Sequence, residues 1–232
     1  MKECIAIVNI PASPYMEKLF NTSIESITHY ADRIGVPIVE LTESKIRGDR
    51  LKFEFISAAV EKFQIASVLE EYDRVLSLDV DILINPNAPN IFDFYAPGNL
   101  YAREEGVNPD GEEDATFFEE KYGVTYPLID GHKRVLNTGV VLWDKGALPV
   151  LQDFDLEDWT PSFDKGTWGG EQSYVNMKLC KHGIPVGLLD KKWNWLLFEK
   201  EDLEKRKEAF FVHYACAEFK ELLLADSQTL WK

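Results

Sequence analysis

The stretch at residues 72–86, YDRVLSLDVDILINP, constrains this chain more than any other. The almost wholly apolar run VLSL at 75–78 is typical of a strand buried on both faces of a parallel sheet. It ends at Asp79 and Asp81, whose side chains point the same way if the chain stays extended. Such a carboxylate pair attracts a hard divalent cation, which keeps room for phosphate oxygens. The alternative is a solvated turn, because a short acidic motif means little without structural context.

Alternating strands and helices are predicted ahead of this stretch. They are strands at 3–9 and 36–41 and helices at 16–34 and 56–66. The order β-α-β-α-β predicts an α/β fold with a mainly parallel central sheet and helices on both faces. Ligands of such sheets bind beyond the carboxyl ends of the strands, where Asn9, residues 40–42 and the two aspartates fall.

Composition limits the classes of function. The 232 residues suffice for one domain, and the formal net charge of −15 disfavours binding of nucleic acid or anionic membranes by bulk electrostatics. A nucleotide diphosphate would also need a metal to approach so acidic a chain. No transmembrane segment or signal peptide is predicted. Three widely spaced cysteines indicate reduced thiols and a cytoplasmic protein.

The stretch 71–84, EYDRVLSLDVDILI, resembles the metal-binding strand of glycosyltransferases with the GT-A fold. The resemblance is greatest to the family 8-like group, which includes glycogenin and bacterial galactosyltransferases, and it spans about residues 4–220. It implies one Rossmann-like GT-A domain over 1–232, with nucleotide binding in 1–86 and the donor-sugar and acceptor sites in 87–232. It also implies sugar transfer from a nucleotide-diphosphate sugar, above all a UDP-sugar, to a hydroxyl of a glycan or another acceptor. The D-x-D would hold Mn²⁺ or Mg²⁺.

Two later motifs fall in the family's order. The run VLNTGVVLW at 135–143 resembles the strand beside the donor sugar, which makes Asn137 a donor contact. Its glycine indicates close approach of a ligand or another backbone. Glu171 and Gln172 resemble the acid-glutamine pair that opens a helix in the acceptor site, and they are the candidate catalytic residues. For Glu171 the alternative is a favourable contact with the helix dipole.

A histidine near the end of the chain completes the resemblance. The run FFVHY at 210–214 predicts a final strand, and the family's H-x-x-G-x-x-K motif makes His213 the third metal ligand. The alternative is a hydrogen-bonded core histidine. Cys216 replaces the motif's glycine and Lys220 lies one position late, so the lysine's phosphate contact is not carried over.

The nucleotide-binding candidates come from the first part of the chain. Asn9 and Ile10 follow the first strand, in the loop that holds the base in the family; a turn-forming asparagine is the alternative. The family often carries a basic residue near here that reaches the donor diphosphate, and the resemblance implies this role for Lys62, 17 positions before Asp79; a surface lysine is the alternative. The loop after the first strand lacks the glycines of a dinucleotide-binding or nucleotidyltransferase site.

Two further expectations concern the second half of the chain. Residues 103–121 contain eight acidic and two basic residues with interspersed glycine and proline, which predicts a mobile surface loop. Of Trp193 and Trp195, one is expected in the core and the other as a wall of the acceptor site. The alternatives to a transferase are a sugar-phosphate nucleotidyltransferase and a non-catalytic nucleotide-sugar-binding module.

Overall fold

The computed structural model describes residues 1–11, 13–46, 59–106, 109–155, 170–197 and 200–231. The strands are β1 Glu3–Val8, β2 Ile38–Leu41, β3 Arg74–Leu78, β4 Ile82–Ile84, β5 Leu100–Glu104, β6 Leu128–Ile129, β7 His132–Lys133, β8 Leu136–Asp144, β9 Val186–Leu188, β10 Trp195–Leu196 and β11 Phe211–His213. The α-helices are α1 Pro14–Ile34, α2 Ile65–Glu71, α3 Ile91–Phe94, α4 Pro109–Tyr122, α5 Leu148–Gln152, α6 Gly170–His182, α7 Lys200–Lys205 and α8 Lys220–Thr229. Within these ranges, no helix is both long enough and apolar enough to cross a membrane.

A six-stranded sheet with the order β2-β1-β3-β8-β5-β9 forms the centre of the fold. β1 pairs in parallel with β2 and β3, and β5 pairs in parallel with β9. β8 lies between β3 and β5 and runs antiparallel to both. The expected mainly parallel sheet is therefore confirmed, with one reversed strand at its middle.

Hydrophobic residues alternate along the central strands and feed two cores, one on each face of the sheet. Ile5, Leu76 and Leu142 belong to the core that α1 and α8 cover. Their chain neighbours face the other core, against the helices α2, α5 and α6. Both faces of the strands are thus buried, which accounts for the continuous apolar runs in the sequence.

A second sheet of three strands, in the order β10-β11-β4, packs beside the first. β4 follows β3 after a three-residue turn, so the chain passes from the large sheet into the small one at Asp79–Val80–Asp81. β11 is antiparallel to β4, and His213 pairs with Ile82. The turn with the two aspartates therefore joins the two sheets, and β11 brings His213 to it.

The expectation of a mobile loop at 103–121 was wrong. β5 continues to Glu104, and Pro109–Tyr122 forms the helix α4. Ala115 and Phe118, three residues apart, are buried in the core on the side of the sheet covered by α2, α5 and α6. They hold one face of this acidic helix against the protein.

The expectation that one tryptophan lines an acceptor site was also wrong. Trp193 has no exposed surface and Trp195 is 4% exposed. Both belong to the hydrophobic core that α1 and α8 cover. The sequence also predicts a loop at 155–167, and all of that range except Asp155 lies outside the described residues.

Candidate active site

The turn at Asp79–Asp81 is held by backbone hydrogen bonds to both sheets. The amide of Asp79 donates to the carbonyl of Gly139 in β8, at 2.8 Å. The carbonyl of Asp81 accepts a hydrogen bond from the amide of Tyr214, just after β11, at 3.0 Å. These two bonds fix the two carboxylates relative to β8 and β11.

His213 lies against the two carboxylates, as the sequence predicts. Its Nε2 is 3.2 Å from Oδ1 of Asp81 and 3.8 Å from Oδ2 of Asp79. The imidazole occupies the space above Gly139, where a Cβ atom would overlap Cε1 and lie 2.7 Å from Nδ1. The glycine in β8 thus admits a histidine side chain, and not the ligand or backbone that the sequence suggested.

The three side chains fit a divalent cation. One potential ligand atom from each of Asp79, Asp81 and His213 lies within 4.8 Å of the others. Oδ1 of Asp81 is buried and accepts no hydrogen bond from the described part of the chain. A buried carboxylate oxygen without a hydrogen bond is costly unless a cation uses it. Two carboxylates and an imidazole are ligands suited to Mn²⁺ or Mg²⁺.

Two lysines flank the carboxylates. Nζ of Lys62, from the 3₁₀ turn Glu61–Gln64, lies 2.8 Å from Oδ1 of Asp79. Its side chain is only 19% exposed, so the surface-lysine alternative is wrong. On the other side, the ammonium of Lys220 contacts Oδ2 of Asp81 and donates to the carbonyl of Tyr214 at 2.7 Å.

These contacts shift the titration of the charged groups. Burial alone would lower the pKa of Lys62, but the carboxylates of Asp79 and Glu171 outweigh it and raise that pKa. Burial likewise opposes ionisation of Asp81, yet the side chains that contact it, Lys220 among them, hold the pKa of its carboxyl well below the usual range. These contacts therefore favour the ammonium form of Lys62 and the carboxylate form of Asp81.

Glu171 lies at the start of α6 and points into the same cluster. Its Oε2 accepts a hydrogen bond from Oγ1 of Thr138 at 3.1 Å and lies 3.4 Å from Nζ of Lys62. Burial raises the pKa of the Glu171 carboxyl above its ordinary value, even though Lys62 acts in the opposite direction. The structure thus gives Glu171 a specific partner, Lys62, which connects it to Asp79.

Asn137 makes four hydrogen bonds. Its amide nitrogen donates to Oε1 of Glu105 at 2.8 Å and to Oε1 of Gln172 at 3.1 Å. Its oxygen accepts from the amide of Gly139 at 3.0 Å and from Nδ2 of Asn194 at 2.8 Å. All donors and both lone pairs of this amide are therefore in use. Gln172 accepts a second bond, from the amide of Thr138 at 3.2 Å, and its own NH₂ group donates to no residue within the described ranges.

Asn9 follows β1 at the carboxyl edge of the sheet, next to β2. Its Nδ2 donates to Oε1 of Glu40 at 2.6 Å, and its Oδ1 is buried without a hydrogen bond from the described residues. The side chain therefore does not form the local turn considered as the alternative. Ile10 follows it in the same loop, and base binding by both residues stays a prediction.

Several polar residues of this site were not singled out from sequence. Thr138, Glu105 and Asn194 contact the candidate residues, and Lys220 enters the site despite its offset in the motif. A polar residue between two buried tryptophans was the available signal for Asn194. For Lys220 the signal was the motif itself, although the lysine lies one position late in it.

Comparison with curated proteins gives one distant relative. An uncharacterised protein of Schizosaccharomyces pombe, C4C3.09, is 27% identical over an alignment of 195 residues that covers 71% of this chain. The chain spans about half of that protein's length, since the match covers 52% of it. No protein-family model matches the chain.

Solved structures of glycosyltransferases share the fold. A glycosyltransferase involved in glycosylation of the major capsid of PBCV-1 matches with a TM-score of 0.64 and 20% identity, over 97% of this chain and all of that one. The galactosyltransferase LgtC, solved with donor and acceptor sugar analogues, matches with a TM-score of 0.55 and 14% identity, over 99% and 96% of the two chains. The bifunctional WbbM matches at 0.62 and 13%, over 98% of this chain and half of its own. The GT-A fold expected from the sequence is thereby confirmed.

Proposed function

We propose that this protein is a metal-dependent glycosyltransferase that moves a sugar from a nucleotide-diphosphate sugar to a hydroxyl of a glycan or another acceptor. UDP is the nucleotide we expect, and Mn²⁺ or Mg²⁺ the metal. The observation that carries this proposal is the convergence of Asp79, Asp81 and His213, with a lysine on either side, at the junction of the two sheets. The glycosyltransferase fold supports the same reading.

The charges of the site suit a diphosphate that binds together with a cation. A metal held by Asp79, Asp81 and His213 would supply positive charge to the departing diphosphate. Lys62 and Lys220, which pair with the two aspartates, offer ammonium groups to phosphate oxygens from opposite sides. Lys62 and Lys220 are already paired with the two aspartates and the chain has a formal net charge of −15, so the diphosphate has little reason to bind without a cation.

The sugar-facing groups lie on β8 and α6. The NH₂ of Gln172 would donate to a sugar hydroxyl, because both lone pairs of its oxygen are already occupied. Asn137 would hold Gln172 in place and contact the sugar only by giving up one of its four bonds. Asn9 and Ile10 would contact the base at the far edge of the sheet.

Titration calorimetry of UDP tests the metal-linked binding. We expect binding in the presence of Mn²⁺ and none with excess EDTA, because the carboxylates repel the bare diphosphate. Asp81→Ala should abolish binding in both conditions. Asp32→Ala, which removes an exposed carboxylate from α1, should bind as the wild type does. Undiminished affinity in EDTA would contradict the proposal.

Glu171→Gln tests the transfer step. The variant should keep UDP affinity in Mn²⁺ and lose transfer, by about 10²–10⁴-fold if the carboxylate acts as a general base. If the departing phosphate takes the proton instead, the loss reflects Glu171 steadying the acceptor or the sugar's positive charge. Product anomeric configuration, read by NMR, separates the two mechanisms.

The donor for this assay is chosen by a thermal-shift screen of nucleotide-sugars with Mn²⁺, since ligands of the native state raise the melting temperature. Glu120→Gln, an exposed position on α4, is the matched control and should retain full transfer. Wild-type transfer by Glu171→Gln would leave the carboxylate only a role at the helix terminus.

A further inference from the structure

Asn194 is a fully buried polar residue between two core tryptophans, and it touches both halves of the site. Its Nδ2 lies 2.8 Å from Oδ1 of Asn137, and its Oδ1 lies 3.0 Å from Nδ1 of His213. Its side chain has no exposed surface. This buried carboxamide therefore connects Asn137, next to the proposed sugar site, to His213 at the proposed metal site.

The orientation of each amide in this chain can be deduced from groups whose hydrogen-bonding roles are fixed. The backbone amide of Gly139 only donates, so the atom of Asn137 that lies 3.0 Å away is the oxygen. The carboxylate of Glu105 lies 2.8 Å from the other branch of Asn137, which is therefore the nitrogen. Two independent contacts thus give the same orientation of the Asn137 amide.

The orientation of Asn137 then determines that of Asn194. Because the oxygen of Asn137 accepts, the atom of Asn194 facing it is the NH₂ nitrogen. The remaining atom of Asn194 is its carbonyl oxygen, and it faces Nδ1 of His213. An amide oxygen only accepts, so Nδ1 of His213 carries the hydrogen.

We propose that Asn194 is a positioning residue that holds His213 in the Nδ1–H tautomer, with the lone pair of Nε2 directed at Asp79 and Asp81. A metal-binding imidazole needs that lone pair, and the group bonded to its other nitrogen sets which tautomer is present. The inference rests on the metal site proposed above. It adds that the backbone amide of Gly139 in β8, acting through Asn137 and Asn194, determines that Nε2 of His213 is the nitrogen available to the metal.

Nuclear magnetic resonance of ¹⁵N-histidine-labelled protein without metal reads the tautomer directly. The chain has four histidines, and the signal missing in His213→Ala identifies His213. At mildly alkaline pH we expect the long-range ¹H–¹⁵N spectrum of the wild type to show Nδ1 protonated and Nε2 bare. Asn194→Ala should lose this pattern, and Asn194→Asp should retain it, since a carboxylate still accepts from Nδ1–H.

Titration with Mn²⁺ alone, followed by the electron paramagnetic resonance of the free ion, gives the second readout. Asn194→Ala should bind Mn²⁺ about 10–100-fold more weakly. Asn176→Ala is the matched control, because Asn176 is a buried asparagine that bonds Leu136 and not His213. It should leave both the tautomer and the Mn²⁺ affinity of the wild type.

The outcomes separate this inference from the proposed function. A wild-type His213 protonated on Nε2 would overturn the inference, and so would unchanged Mn²⁺ affinity in a folded Asn194→Ala. If Asn194→Ala does not fold, the wild type and Asn194→Asp decide, and an Nε2–H signal in Asn194→Asp counts against it. An Nδ1–H tautomer together with absent UDP binding would contradict the proposed function alone.

Discussion

At the scale of single residues, position 139 is the one in the site whose surroundings most specifically require glycine. Its carbonyl holds the Asp79 amide, its amide orients Asn137, and its missing side chain leaves room for His213. A backbone that makes both hydrogen bonds cannot move away from an added methyl group without disturbing them. The position therefore admits glycine for reasons of space as well as hydrogen bonding.

Gly139→Ala should weaken both stability and metal binding. Because the new Cβ overlaps the imidazole, we expect a loss of about 1–3 kcal/mol in the free energy of unfolding, measured in urea. The displaced His213 should also reduce Mn²⁺ affinity. Gly146→Ala is the control, since its Cβ would meet only Oδ1 of Asp144, at an ordinary 3.7 Å. Equal effects of the two substitutions would show that the space above Gly139 is not limiting.

At the scale of elements, a carboxylate joins α5 to the last turn of α6. Asp153, just after α5, accepts from Nζ of Lys178 at 3.0 Å, Nζ of Lys181 at 2.8 Å and Nε2 of His182 at 2.9 Å. Burial alone would raise the pKa of the Asp153 carboxyl, but these three contacts hold it well below its ordinary value. The ionised carboxylate thus contributes to the packing of the two helices.

Asp153→Asn should be less stable than the wild type at neutral pH. A lowered folded-state pKa contributes stability above the unfolded-state pKa, about 3.9, and that contribution is lost as pH falls through the folded value. The difference between variant and wild type should therefore shrink below about pH 4. Urea unfolding over a pH series measures it, and Asp32→Asn should differ from the wild type by less than about 0.5 kcal/mol. A difference that stays constant into acid would exclude the ionic contribution.

Helices and strands were predictable from the sequence where the hydrophobic residues recur with a clear helical or strand period. The prediction failed where many charged residues obscured that period. The strand before Asp79 was correct because both of its faces are buried, which leaves an unbroken apolar run. The helix α4 was not predicted, because its acidic residues obscure the helical spacing of Ala115 and Phe118, which share its buried face. The hydrogen-bond partners of Asn194 could not be predicted, because they lie 57 and 19 positions away. Contacts of that range depend on the order of strands, which no local pattern gives.

At the scale of the whole molecule, a bound metal should appear as added thermal stability. Mn²⁺ at about 100 times its dissociation constant would add about 2.7 kcal/mol to the free energy of unfolding. For a chain of this size, this corresponds to a rise of about 5–10 °C in melting temperature.

His213→Ala should show little of this rise while remaining folded without metal. Scanning calorimetry with Mn²⁺ and with EDTA measures both forms. If the variant unfolds at room temperature while its folded fraction keeps the normal metal response, His213 is a core residue and not a ligand.

The turn between β3 and β4 connects the two sheets at the place where the three candidate metal ligands meet. Asp79 follows a strand of the large sheet, Asp81 precedes a strand of the small one, and His213 reaches them from a third strand. An ion bound by all three side chains would cross-link the two sheets, whose strands pair separately. Amide hydrogen exchange in β3 and in β11 would then slow in concert, so that the two sheets open as one unit.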